Sequence, residues 1–169
     1  MSDGRRIAIV DYDLKWPAAF ERLKTQLQQA LGALALRIEH IGSTAVPGLI
    51  AKPIIDLDIV IASRVELPAV IARLAEGGYV HEGDLGIKDR EAFRPPSGMT
   101  PHHPYVCIQG SRALRDHVAF RDYLRTHPKA AAAYARLKRD IVARGILDAQ
   151  AYGRAKAAFF YGLMDPPSA

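Results

Sequence analysis

The run IIDLDIVI, residues 54–61, constrains this chain more than any other stretch. Isoleucine, leucine and valine in unbroken sequence favour a buried strand, whereas an ionised aspartate there is costly unless something compensates its charge. Along a strand the side chains alternate, so Asp56 and Asp58 point to one side, with Cα atoms about 6.5–7 Å apart. Such a pair suits a divalent cation, since Mg²⁺ takes one or two carboxylates together with substrate phosphates. A strand end, with both acids solvated or matched by Lys or Arg, is the competing reading.

The residues upstream favour an anion-handling site. Ala35–Ile41 reads as a strand that stops at Gly42-Ser43. Gly42 allows close backbone approach, and N–H groups around Ser43 and Thr44 can cradle phosphate oxygens. Lys52-Pro53 then leads into the carboxylate strand, placing Lys52 near the same site, as a phosphate contact or as a partner for an aspartate.

The remaining pattern alternates helix and strand. Trp16-Pro17 opens a helix with Phe20, Leu23, Leu27 and Leu31 at helical spacing, stopped by Gly32, and Trp16 reads as a packing anchor. Ile7–Val10 reads as an edge strand or lead-in. Val65–Glu76 is a helix, Tyr79–Glu82 a strand, and Arg90–Arg94 with His103–Gln109 a candidate antiparallel hairpin. On the last strand His103, Tyr105 and Cys107 share one face. Three helices complete the chain, the first capped by Ser111, the second opened by Pro128, the third capped by Asp148.

Charge divides the sequence at about residue 110. Residues 1–110 carry 12 Lys and Arg against 13 Asp and Glu; residues 111–169 carry 11 against 5, a net +6. A basic half beside a carboxylate site suits an anionic ligand such as a nucleoside triphosphate, a coenzyme or an RNA end. Cys107 is the single cysteine, which excludes an internal disulfide framework and fits a reducing, cytoplasmic setting. No stretch reaches the roughly 18 apolar residues of a membrane span, and the first residues lack a signal peptide's long apolar region. His40, His102, His103 and His117 have no zinc-site spacing and no second thiol beside Cys107, which reads as core. Neither GxxxxGK[ST] nor GxSxG occurs, which argues against a P-loop kinase and a hydrolase elbow.

An apolar residue, Gly42-Ser43, twelve residues and then Asp56-x-Asp58 resembles the signature of the DNA polymerase beta superfamily of nucleotidyltransferases. The longer string HIGSTAVPGLIAKPIIDLDI resembles the GrpB family, and FRDYLRTHPKAAAAYARLK resembles its helical tail. The resemblance implies an α/β (α+β) fold, a nucleotidyltransferase-like mixed sheet flanked by helices. Residues 1–110 would form the core, and 111–169 a basic helical extension of the same domain. The implied reaction is Mg²⁺-dependent transfer of a nucleotide from a nucleoside triphosphate to a small-molecule acceptor, with Mn²⁺ as a substitute ion. Asp56 and Asp58 would ligate the metal, Gly42 and Ser43 would hold phosphates, and Lys52, Arg90 or Arg94 would offset phosphate charge. In the tail Arg121, Tyr134, Lys138 and Lys156 match family positions, with a place at the cleft and a solvated or packing role both open to each. The superfamily's third carboxylate is missing from the His103–Gln109 strand. His103 is the candidate base there, and Asp89 or Glu91 are candidate substitutes. That gap leaves a second reading, a non-catalytic module for a nucleotide, coenzyme A or an RNA end.

Overall fold

The computed structural model describes residues 8–145 and 149–164. Five strands form one mixed sheet: β1 (Arg37–Ile41), β2 (Ile55–Ile61), β3 (Val80–Gly83), β4 (Arg90–Arg94) and β5 (His102–Ile108). Five α-helices accompany it: α1 (Trp16–Leu31), α2 (Leu67–Glu76), α3 (Arg112–Thr126), α4 (Pro128–Ala143) and α5 (Ala149–Met164). The strand order is β1-β2-β5-β4-β3, with β2 and β5 parallel at the centre and every other pair antiparallel. The α/β architecture and the β4–β5 pairing expected from the sequence are both present.

The centre of the sheet is where the IIDLDIVI run lies. Ile55, Leu57, Ile59 and Ile61 face α1 and α2, packing against Phe20, Leu23, Leu27, Val70 and Leu74. Trp16 joins this core, edge-on to Tyr12 at 5.2 Å. Alternation sends Asp56, Asp58 and Val60 to the opposite face, beside His103, Tyr105 and Cys107 of β5. There α3 packs Leu114 and Val118 against Val60 and Cys107. Both faces of β2 are covered, which accounts for its nearly continuous apolar sequence.

Local signals place the ends of the elements. Pro17 and Pro68 sit in the first turns of α1 and α2, where their missing N–H groups have no helical partner to lose. A single 3₁₀ turn, Arg64–Glu66, precedes α2, and Ser63 with Glu66 forms a capping box. Ser111 accepts from the backbone N–H of Leu114 at 3.3 Å, as its capping role requires. The lead-in run forms no named strand; its Val10 makes one isolated bridge to Ala51. Ile7 and the expected Asp148 cap lie outside the described residues. Among the described residues no helix is long and apolar enough to cross a membrane.

The tail packs on the loop that follows β1. Val46 and Leu49 from that loop cluster with Leu124 of α3 and Tyr134 of α4. Phe120 meets Tyr134 edge-on at 5.2 Å and Phe160 at 4.9 Å. Leu57 is fully buried in the main core. Leu57→Ala is therefore expected to lower unfolding free energy by about 2–5 kcal/mol in urea denaturation, with unchanged circular dichroism in water.

Candidate functional site

Gly42 ends β1 with φ +72°, a left-handed conformation that disfavours any side chain. A Cβ at this position would lie 2.5 Å from Asp56 Oδ2, so the carboxylate of β2 is pressed directly against the bend. A single 3₁₀ turn, Ser43–Ala45, follows. This bend and Asp56 form the floor of a cavity of about 860 Å³, within the range of small-molecule sites. Lys52, Arg90, His103 and Lys156 also line it, together with a wall of Phe120, Tyr134, Tyr152 and Phe160.

The two aspartates of the strand have separate fates. Asp56 keeps 30% of its side-chain surface accessible and accepts from His103 Nδ1 at 2.9 Å. Burial alone would raise its carboxyl, but the hydrogen bond and charge of His103, with Lys156 and His117 beyond, hold it below the ordinary range. Asp58 shares its face, as alternation requires, yet has no accessible surface. Helix α3 closes over it, and His117 Nδ1 lies 2.8 Å from Asp58 Oδ2. Expected at the open site as a metal ligand, Asp58 instead sits sealed beneath α3.

The magnesium pair implied by the sequence resemblance, Asp56 and Asp58, meets two different sets of neighbours. Asp56 fits as one ligand of a Mg²⁺ ion shared with phosphates, because it faces the cavity. Asp58 does not complete a hard-cation clamp. One of its oxygens is taken by His117, and the neighbours that could act as donors are that half-buried imidazole and the buried Cys107 thiol.

Several expected contacts are placed elsewhere. Arg121 donates to Glu39 Oε2 at 2.8 Å and to the His40 carbonyl at 3.0 Å, off the cavity wall. Glu39 lies opposite Asp58 in the β1–β2 register, an acid on the site's own sheet face that sequence reading passed over. Burial would raise its carboxyl, but Arg121 and Arg37 hold it below its ordinary range. Arg94 is exposed and 3.8 Å from Glu82, away from the cavity. Asp89 and Glu91 are tied to Arg64 at 3.5 and 3.7 Å, and Glu91 also meets His81 at 2.8 Å. Neither acid lines the cavity, so neither replaces the third carboxylate.

Other expected residues do converge. Lys52 and Lys156 both lie over the ring of Tyr152, at 4.4 and 5.0 Å from its centroid. Burial and the charge of Lys156 both lower the Lys52 ammonium below its ordinary range. Arg90 is buried with its guanidinium 4.5 Å from the centroid of Tyr105. Among the described residues, no carboxylate lies within ion-pair distance of Lys52, Arg90 or Lys156. Lys138 is fully buried behind the wall, donating to Ser43 Oγ at 2.9 Å and to the Ile50 carbonyl. It can reach a ligand only through Ser43.

The GrpB protein family model matches residues 6–165. The chain belongs to the GrpB family. It is 36% identical over 140 residues to the UPF0157 protein YqkA of Bacillus subtilis, covering 83% of this chain and 41% of YqkA. The chain thus spans about two fifths of that relative. The crystal structure of the conserved GrpB protein from Enterococcus faecalis superposes with TM-score 0.78 at 27% identity, covering 94% of this chain and 100% of that one. The Cid1 poly(U) polymerase with MgGTP bound superposes with TM-score 0.51 at 12% identity, over 76% of this chain and 45% of that one. The GrpB chain therefore has a nucleotidyltransferase-like fold.

Two substitutions probe the floor. Gly42→Ala places a methyl group against Asp56 in a left-handed backbone, and a loss of about 1–2 kcal/mol in denaturation is expected from the backbone alone. Burial, then the charges of Lys156 and Arg139, lower the Lys138 ammonium from 10.5 to about 7. Between these values the unfolded chain holds a proton that the folded chain releases, so this group makes stability rise with pH from about 7 towards 10.5. Lys138→Met removes that rise. Its stability relative to the parent should move in the destabilising direction by on the order of 2 kcal/mol between pH 7 and pH 9, read by urea melts.

Proposed function

We propose that this GrpB chain binds a nucleoside triphosphate in the cavity above Gly42 and Asp56. The observation that carries the reading is the trio Lys52, Arg90 and Lys156 around one cavity, with no acid within ion-pair distance of them among the described residues. Like charges held together in a partly dry site repel, and a polyphosphate relieves that repulsion. The bend at Ser43 offers backbone N–H groups to phosphate oxygens, and the wall of Phe120 and Phe160 offers faces for a base. Asp56 would hold the Mg²⁺ ion that accompanies the triphosphate, which supplies further charge neutralisation when bound.

A second reading, transfer of the nucleotide to a small-molecule hydroxyl, is favoured by the pairing of His103 with Asp56. His103 engages Asp56 through Nδ1 and leaves about half of its side chain accessible. Its other ring nitrogen can take the acceptor's proton as the acceptor oxygen bonds to the α-phosphorus and pyrophosphate departs. Asp56 then steadies the imidazolium. The sealed position of Asp58 is why binding leads and transfer follows.

Calorimetric titration with ATP, GTP, CTP and UTP in magnesium buffer tests the first reading, with coenzyme A and a short RNA as comparators. At least one triphosphate should bind, and Lys52→Ala with Lys156→Ala should weaken it by on the order of 100-fold or more, through loss of two charge-assisted contacts. If none of the triphosphates binds, the proposal fails. Pyrophosphate release with a panel of hydroxyl acceptors, abolished in His103→Ala while binding persists, would establish transfer; binding without release would leave a binding module.

A further inference from the structure

Beneath the cavity floor, three side chains of different chemistry meet, and only His117 also reaches the site above. Asp58 of β2, Cys107 of β5 and His117 of α3 each present a potential ligand atom, and these atoms all lie within 4.8 Å of one another. Asp58 and Cys107 have no accessible surface, while His117 lines the cavity. Sequence separation hid this set: 48 residues lie between Asp58 and Cys107, and only the parallel β2–β5 pairing and the return of α3 unite them.

An unmet demand marks the cluster as more than packing. Asp58 Oδ2 is engaged by His117, while Oδ1 is buried with no partner at normal hydrogen-bond geometry, the Cys107 thiol beside the carboxylate being the one weak donor at hand. A carboxylate oxygen without a partner in a fold interior is costly, and native structures rarely leave one so. Val60, Leu114 and Val118 pack around the cluster, giving it an apolar surround. Arg90 stands opposite Cys107 in the β4–β5 register with its guanidinium over the Tyr105 ring; its Nε is also buried without a partner, and it makes no ion pair with Asp58.

We propose that Asp58, Cys107 and His117 form a binding site for a thiophilic divalent cation of the zinc class, distinct from any magnesium ion held by Asp56. A carboxylate, an imidazole and a thiolate are three donors that zinc uses, whereas Mg²⁺ is served by oxygen. Ligand atoms around a tetrahedral zinc lie about 3.5 Å apart, so modest side-chain rotation from the observed spacing closes the set. Three protein ligands leave one position free, and His117 connects the site to the cavity. Binding must release a proton. Cys107 binds as the thiolate, and its proton leaves to solvent as the sulfur takes the metal. As a ligand, His117 would bind through one ring nitrogen and keep a proton on the other. With a thiolate and a carboxylate, the ion's two charges are matched.

Cobalt(II) substitution tests this without any nucleotide, so the result is independent of the proposal for the cavity. Chelator-treated full-length chain should take up one cobalt ion with an intense thiolate-to-cobalt band in the near ultraviolet. Zinc should bleach the band, and Mg²⁺ should not. Cys107→Ser should abolish it and weaken zinc binding by on the order of 100-fold or more; His117→Gln, at a partly exposed position, should also weaken zinc and keep the fold if the buried variant does not. His103→Ala should retain band and affinity, which separates this site from the Asp56–His103 pair above. Absence of the band in the parent chain, its persistence in Cys107→Ser, or its loss in His103→Ala would overturn the assignment.

Discussion

Strand β2 is held by two unlike coverings, and the rest of the molecule is arranged to supply them. On one face Leu57, Ile59 and Ile61 are dried by α1 and α2. On the other, Asp56 and Asp58 need polar or ionic partners, which β2 cannot provide for itself. Those partners arrive from distant parts of the chain, His103 from β5 and His117 from α3. The C-terminal helices are thus required by the central strand as well as by the cavity. An uncompensated carboxylate at this depth would cost several kcal/mol, a large share of a domain's ordinary stability.

The cavity then follows from where α3 stops covering β2. Leu114 and Val118 close over Val60 and Cys107, and His117 closes over Asp58. One step nearer the start of the strand, Asp56 is left at the edge beside the Gly42 bend. A single helix therefore divides two carboxylates of one strand into an open one and a sealed one. The cations come from several elements, Lys52 from the loop before β2, Arg90 from β4 and Lys156 from α5, so the positive character of the site is assembled by the fold.

Local rules carried the sequence a long way here. The alternation that puts both aspartates on one face, the glycine at the bend, the helix openings at Pro17 and Pro128 and the β4–β5 hairpin all follow from neighbours a few residues apart. Exposure did not follow. Whether Asp58 is open depends on His117, 59 residues further on, and Arg121 is drawn to Glu39 across 82 residues. Arg90 and Arg94 share a strand face by alternation, yet Arg94 sits at the strand's far end, where Glu82 of the edge strand takes it. Tyr134 and Phe160 lie on helices, where a residue that packs and one that lines a wall have the same spacing. The charge excess after residue 110 pointed to the tail, but it could not separate Lys156, in the cavity, from Lys138, buried behind it.

The link between Lys138 and Ser43 joins the first half of the molecule to the last. Its ammonium holds the serine hydroxyl and the Ile50 carbonyl at once, so the bend after β1 and the loop before β2 hang from one side chain of α4. Any guest that claims the serine's lone pairs must renegotiate that knot. News of occupancy would then be felt at the back of the molecule, in the layer of α4 and α5, before anything at the mouth had moved.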